Sequence, residues 1–160
     1  REAVSGSEIV VSDVVLIEEH PSAAEYIALR QAMGWGTIDE ETARRTLDGA
    51  CFCACLRREG RLVGLVRAIG DGVLYFAVSD VMVSAELRGG GHGATLLKAL
   101  GDYLRRAAKP GASITLQPLA GREPFYEKFG WVRCPGGPFG SGMIFADAPP
   151  GARRAPLRAT

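Results

Sequence analysis

Apolar residues recur along the chain with two different periods, and the switches between them mark out the elements. Residues 9 to 17, IVVSDVVLI, are apolar and β-branched and predict a first strand. His20-Pro21-Ser22 reads as a turn and helix cap, with proline near the first helical position. Ala23, Tyr26, Ile27 and Met33 then keep helical spacing up to Gly34-Trp35-Gly36. A second helix is predicted over Glu40 to Leu47, capped by Thr37 or Asp39 and stopped by Gly49. Phe52 to Leu56 and Leu62 to Ile69 form a predicted hairpin about the Arg57-Arg58-Glu59-Gly60 turn. Gly70-Asp71-Gly72 turns the chain into a third strand, Val73 to Val83.

The period changes again after that strand. A connector from Ser84 to Leu87 enters Arg88-Gly89-Gly90-Gly91-His92-Gly93, and Leu96, Leu97, Leu100, Tyr103, Leu104 and Ala107 then line one face of a helix. Lys109-Pro110-Gly111 stops it, and Ile114 to Gln117 predicts a short strand. A helix through Phe125 and Tyr126 starts at Gly121-Arg122-Glu123-Pro124 and ends at Gly130, with Phe125 and Phe129 expected in the core. Trp131-Val132-Arg133 is expected to begin a strand, Cys134 to Gly142 to be a loop, and Met143 to Ala146 to be the last strand. The tail from Pro149, with Arg153, Arg154 and Arg158, is expected to be a solvated end.

Composition narrows the class. A chain of 160 residues that is 47% hydrophobic and 23% charged is globular and large enough for one core. A net charge of +1 gives no bulk attraction to nucleic acid or membrane, so neither is expected as a partner. No apolar run approaches the roughly 20 residues of a membrane helix, and Arg1 to Gly6 does not resemble a signal peptide. A cytoplasmic, reducing location is the expectation. Cys51, Cys53 and Cys55 alternate along one strand and should share a face. Zinc motifs pair C-x-x-C with a second pair, and here only Cys134 follows, so buried thiols and no metal are expected.

The glycine-rich turn carries the chemistry. The first N–H groups of a helix lack intrahelical partners, and the macrodipole places partial positive charge there. Glycines let an anion approach that backbone without meeting a Cβ. The glycine-rich turn Arg88-Gly89-Gly90-Gly91-His92-Gly93 therefore reads as a cradle for a pyrophosphate. A Walker A loop would need Gly-Lys-Ser/Thr, whereas this turn ends in Gly93-Ala94-Thr95. The dinucleotide fingerprint fits Gly89, Gly91 and Ala94, but the next strand ends Leu116-Gln117-Pro118 without the acidic residue it requires. The pattern R/Q-x-x-G-x-G/A is filled by Arg88, Gly91 and Gly93. Farther on, Glu123-Pro124-Phe125-Tyr126-Glu127-Lys128-Phe129-Gly130-Trp131 is similar to a late F-Y-x-x-x-G-F/W signature.

These two motifs, in this order and separated by one strand, resemble the GNAT superfamily of acyl-CoA-dependent N-acyltransferases across residues 10 to 148. The resemblance implies an α/β fold of the α+β kind: a mixed, mostly antiparallel central sheet, one splayed parallel strand pair and flanking helices. It implies one domain over residues 1–148, with 149–160 as a flexible tail. It implies acetyl-CoA as acyl donor, lying in the splay between Val78–Val83 and Ile114–Gln117. Backbone groups of Val81, Met82 and Val83 would meet the pantetheine amides. Arg88, Gly89, Gly90, Gly91, Gly93 and Ala94 would surround the pyrophosphate, with Thr95 beside them. His92 stands at a variable position of that loop, so a solvated histidine is expected, with a phosphate contact as the alternative. Lys128 would reach a CoA phosphate or be solvated.

For the reaction, Tyr126 takes the place of the residue that protonates the departing thiolate in many family members. Asp80 is an ionisable residue inside an apolar strand, which demands a partner or a function. It is the candidate base or water-relay partner, or an anion for the substrate ammonium, with an ordered water as the alternative base. Ser79 is its neighbour. Trp35, Tyr75 and Phe139, from the Gly34–Gly36 turn, the third strand and the Gly136–Gly142 loop, are candidate walls of an acceptor pocket. Aromatic rings beside an acid suit a cationic small molecule. The expected reaction is acetyl transfer to a primary amine, aromatic or alkyl, by direct attack in a ternary complex. The alternatives are acylation of a protein or peptide amine, and a non-catalytic acyl-CoA sensor on the same fold. The resemblance leaves a homodimer open.

Overall fold

The computed structural model describes residues 9–11, 13–135 and 140. Two compact units divide between Leu119 and Ala120. The first holds a sheet of six strands in the order β1-β2-β3-β4-β5-β6. Its strands are β1 (Ile9–Val11), β2 (Val14–Ile17), β3 (Ala50–Arg58), β4 (Arg61–Gly70), β5 (Tyr75–Val83) and β6 (Ser113–Leu116). Every neighbouring pair is antiparallel except β5 and β6, which run parallel. A parallel pair needs a crossover, and helix α3 (His92–Ala107) supplies it.

The opening strand departs from expectation. Residues 9 to 17 are not one strand but a hairpin, with Val11 paired to Val14 and Asp13 in the turn. Asp13 inside an apolar run is the reason, because its side chain favours turns. The β3–β4 hairpin turns on Glu59 (φ 50°) and Gly60 (φ 78°), both left-handed, as a tight two-residue hairpin requires.

Helices α1 (Ala23–Ala32) and α2 (Glu40–Asp48) cover one face of the sheet. Ser22 caps α1 through a capping box with Glu25, and Asp39 caps α2. Tyr26 and Leu29 of α1 and Leu47 of α2 pack with Cys53, Cys55, Leu65 and Met82 in one buried cluster. On the other face Tyr103 of α3 stacks on Phe52, with centroids 4.4 Å apart, and meets Phe76 edge-on at 6.2 Å.

Bulges decide which residues reach which face. Ala50 pairs with Ile69 and Phe52 with Ala68, so Cys51 is an extra residue and the three cysteines do not share one face. Cys53 and Cys55 are buried in the α1–α2 core, whereas Cys51 donates its thiol to the Ala68 carbonyl at 3.4 Å. Burial pushes the Cys53 thiol to about 11 and the Cys55 thiol to about 12, so both are inert at neutral pH.

In the second unit, α4 (Glu123–Glu127) carries Pro124 in its first turn and gives way to Gly130 at φ 86°. Phe125 meets Tyr126 and Phe129 edge-on. Phe129, expected in the core, is 38% exposed and meets Phe125 edge-on. Trp131–Arg133 does not form the expected strand; its chain is irregular, and Trp131 donates its N–H to the Tyr126 carbonyl at 3.4 Å. The strand expected at Met143–Ala146 and the tail lie outside the described residues. Among the described residues, no helix is long and apolar enough to cross a membrane.

The start of α1 is tied to the sheet by charge. Arg57 of β3 pairs with Glu25 at 2.6 Å and also with Glu19. Hydrogen bonds from Arg57 hold the Glu25 carboxyl at about 2, against an ordinary 4.5. A depressed carboxylate stabilises the fold above its unfolded pKa and ceases to as pH falls through the folded value. Stability is therefore expected to fall between about pH 4.5 and 2. Glu25→Gln keeps the cap but removes the charge, and should cost only about 1 kcal/mol at pH 7 because the pair is partly screened. Urea unfolding at pH 7 and pH 3 checks this: the variant should lose less stability on acidification than the wild type.

Candidate active site

The site begins where β5 leaves β6. The two strands pair from Tyr75 and Ser113 to Val78 and Leu116, and no pairing with β6 extends beyond. On its other side β5 stays paired with β4 as far as Val83 and Gly64. Among the described residues, the stretch Ser79 to Val83 therefore presents a sheet edge without a partner strand, where an amide chain can bond. Val81, Met82 and Val83 lie on it. Ser79 is the cause of the break: Arg67 pairs with Asp80 and Ala68 with Val78, so Ser79 is an extra residue in β5. Before the bulge Phe76 reaches Tyr103 of α3; after it Met82 joins the α1–α2 core and Asp80 points to α1.

That edge runs directly into the glycine loop. Ser84 donates its N–H back to Val63, and one turn of 3-10 helix, Ala85–Leu87, leads through Arg88 to Gly89. Gly89 and Gly91 stand at φ 82° and 81°, and a Cβ on either would meet nothing within 4 Å. Their requirement is conformational, and the space beside them is open. Gly91 is the N-cap of α3, and no side chain caps the helix. The leading N–H groups of this 16-residue helix are left for an anion, with Gly93, Ala94 and Thr95 in its first turn. Thr95 returns its hydroxyl to the Gly91 carbonyl at 3.3 Å.

His92 corrects an expectation. It is not a solvated loop residue but is 6% exposed, and Nδ1 lacks a hydrogen-bond partner. Its ring lies against Gly90, where a Cβ would come within 3.0 Å of Cδ2. The third glycine of the run thus makes room for the histidine ring, which the spacing alone did not show.

Asp80 is 3% exposed and fully engaged through one oxygen. Arg67 Nε of β4 lies 2.8 Å from Oδ2, and the Tyr26 hydroxyl donates to the same atom at 2.8 Å. Arg67 also donates to the Thr46 carbonyl of α2 at 3.3 Å. Burial works against the charged Arg67, and Asp80 outweighs it, so its pKa ends above the ordinary value. Burial, then the Asp80 charge, raises the Tyr26 phenol, which stays protonated as a donor. An amine could reach Asp80 only by displacing one of these donors. The geometry is that of an anchor holding both helices to the bulged strand.

The sequence reading missed Arg67, Tyr26 and Arg30. A signal existed for the first: Arg67 is the one charge inside Leu62 to Ile69, as Asp80 is inside Val78 to Val83, and adjacent strands can pair them. Arg30 sits over the Tyr26 and Trp35 rings, 5.6 and 5.9 Å from their centroids. The Trp35 face assigned to a substrate cation thus already carries the protein's own guanidinium. Tyr75 is not brought to this place. It is 66% exposed at the far end of β5, about 16 Å of strand from Asp80. Tyr126 is half-buried on α4, burial pushing its phenol up against the opposing pull of Arg122. Lys128 is exposed at the end of that helix, and Phe139 lies outside the described residues. A cleft of about 430 Å³ by His20, Cys51, Tyr103 and Arg106 belongs to the other end of α3, about 20 Å of helix from His92. Among the described residues, no cluster of His, Cys, Asp or Glu could hold a metal.

Two variants separate anchor from base. Asp80→Asn leaves a buried guanidinium unpaired and should cost about 3 kcal/mol of stability, which the pair Asp80→Asn with Arg67→Met should largely restore. Urea unfolding of both variants and of Arg67→Met alone closes the cycle. Full stability in Asp80→Asn would refute the anchoring role.

A strand edge opening into an uncapped, glycine-led helix is the geometry to which the comparisons with known proteins can be joined. The family description "Acetyltransferase (GNAT) domain" matches residues 22–144. A probable acetyltransferase of unknown function from methicillin-resistant Staphylococcus aureus superposes with a TM-score of 0.74 at 26% identity, covering 82% of this chain and 98% of that one. A GNAT-family acetyltransferase from Streptococcus pneumoniae gives 0.67 at 21%, covering 82% and 96%. The ribosomal-protein-alanine N-acetyltransferase of Brucella melitensis gives 0.61 at 20%, covering 84% and 99%. No curated protein sequence matched. With the fold, the bulged strand and the family match spanning most of its length in agreement, this chain belongs to the GNAT acetyltransferase family.

Proposed function

We propose that the protein transfers the acetyl group of acetyl-CoA to the primary amine of a small molecule, in a ternary complex. The observation that carries this reading is the unpaired β5 edge from Ser79 to Val83 leading into the uncapped N-terminus of α3. The edge offers alternating N–H and C=O groups to the pantetheine amides. Arg88 and the N–H groups of Gly89 and Gly91 to Ala94 take the pyrophosphate, the Gly90 N–H being used on the Leu87 carbonyl, and no Cβ stands at Gly89 or Gly91. The thioester then lies near the bulge at Ser79, between β5 and the α1–α2 helices.

The amine nitrogen attacks the thioester carbonyl carbon, and the C–S bond breaks as the tetrahedral adduct collapses. One proton must leave the amine and one must reach the thiolate. Tyr126 is assigned the second task, and burial keeps its phenol protonated for it. The first goes to an ordered water, since a donor to Asp80 Oδ2 would have to move before that oxygen could act. Thiols at about 11 and 12 supply no ready nucleophile, which favours direct attack over an acyl-enzyme. The Brucella relative is named for acetylating an alanine of a ribosomal protein, but at 20% identity that likeness speaks for the fold alone.

Tyr126→Phe should lower kcat about 100-fold while leaving acetyl-CoA affinity unchanged. Thiol release with saturating amine reads the first and calorimetry the second; wild-type turnover would remove Tyr126 as the acid. Gly91→Glu places a carboxylate in the phosphate cradle and should abolish acetyl-CoA binding. Gly91→Ala carries similar backbone strain without the charge and should keep measurable affinity. Equal loss in both variants would show that backbone distortion, not anion recognition, explains the effect.

A further inference from the structure

Arg30 is the charge in this region that the fold does not neutralise. Its Nη1 donates to the Tyr26 hydroxyl and its Nη2 to the Trp35 carbonyl, both at 3.4 Å, the long limit for such bonds. Both acceptors are neutral, Nε is buried without a partner, and among the described residues no carboxylate forms an ion pair with Arg30. The guanidinium is half-buried and lies over two aromatic rings. A partly desolvated guanidinium with no counter-ion is an anion receptor.

Its place in the fold says which anion. Tyr26, Arg30 and Met33 are spaced four and three residues apart, so they share one face of α1 and its C-cap. Tyr26 reaches Asp80 just beyond the bulge of β5, and Met33 accepts a contact from Arg88 of the glycine loop at 3.8 Å. Arg30 therefore stands between the strand break and the donor loop. Arg67 and Asp80 cancel each other, and Arg88 belongs to the donor's pyrophosphate. Arg30 is left over, on the side of the acceptor.

From this the geometry points to an acceptor amine that carries an anionic group, a carboxylate or a phosphate-type oxyanion, held by Arg30. The inference rests on the proposed acetyl transfer and deepens it. It revises the chemistry expected of the acceptor: the rings of Tyr26 and Trp35 orient the receptor arginine, not a substrate cation.

The test compares amines of matched length with acetyl-CoA: β-alanine and 2-aminoethylphosphonate against propylamine and 1,3-diaminopropane. Wild-type protein should prefer the two anionic amines in kcat/KM. Arg30→Gln should raise KM for those two by about 10- to 100-fold and leave propylamine little changed. Arg30→Lys keeps the charge but not the fork, and should fall between. Acetyl-CoA affinity by calorimetry should be the same in all three proteins, which shows both that each variant is folded and that Arg30 does not serve the donor. Equal use of neutral and anionic amines by the wild type, or an equal loss for every amine in Arg30→Gln, would overturn the inference and leave the acetyltransferase reading standing. Should acetyl-CoA bind without thiol release from any amine, that reading fails instead. Titration of 2-aminoethylphosphonate into the CoA-saturated protein still decides the anion site, by binding that Arg30→Gln weakens or by none.

Discussion

The buried pair of Asp80 and Arg67, topped by the Tyr26 hydroxyl, is the constraint on which the site depends. A carboxylate and a guanidinium taken out of water cost several kcal/mol each unless their geometry is good and their remaining bonds are met. Here both conditions hold, at 2.8 Å for the pair and 2.8 Å for the phenol. The pair sits at the register shift in β5, immediately after Ser79. It fixes the turned portion of the strand to β4, to α1 through Tyr26 and to α2 through the Thr46 carbonyl. Without that anchor the strand would have no reason to rotate its buried face from α3 to the α1–α2 side, and the edge beyond Val78 would not be fixed toward the opening.

The remaining features follow from that rotation. Pairing with β6 stops at Val78 and Leu116, so five residues of β5 carry an open edge. The same five residues deliver the chain to the glycine loop at the head of α3, and the loop's left-handed glycines leave the helix N–H groups uncovered. In the proposed reading, the helices on the acceptor side are held by the same carboxylate that anchors the donor strand, and the two sides are linked through one oxygen, Asp80 Oδ2.

Much of this was legible in the sequence because it is written in local patterns. The glycine run, the caps at Ser22 and Asp39, the hairpin at Glu59-Gly60 and the long helix all obey rules that act within a few residues. The carboxylate at position 80 was visible as an anomaly, though not its purpose, since its partners lie 13 and 54 residues away in sequence. The bulges at Cys51 and Ser79 were not legible. The run is apolar throughout at Cys51 and apolar on both sides of Ser79-Asp80, so neither shows a break in period, and only the register of the neighbouring strands reveals the extra residue. For the same reason His92 read as a loop residue: its burial depends on Gly90 accommodating the ring. Trp35 read as a cation receptor because an arginine five residues earlier on a helix end is not, from spacing alone, its obvious occupant.

Calorimetric titration of the unmodified protein with acetyl-CoA, beside NADH under the same conditions, tests the central claim most directly. The account predicts one-to-one binding of acetyl-CoA and none of NADH, since the loop recognises a pyrophosphate whose attached arm can pair with an open strand edge. Absence of acetyl-CoA binding, or equal binding of both, would mean that the glycine turn is no acyl-CoA site and would contradict the assignment of β5 and α3 as its walls.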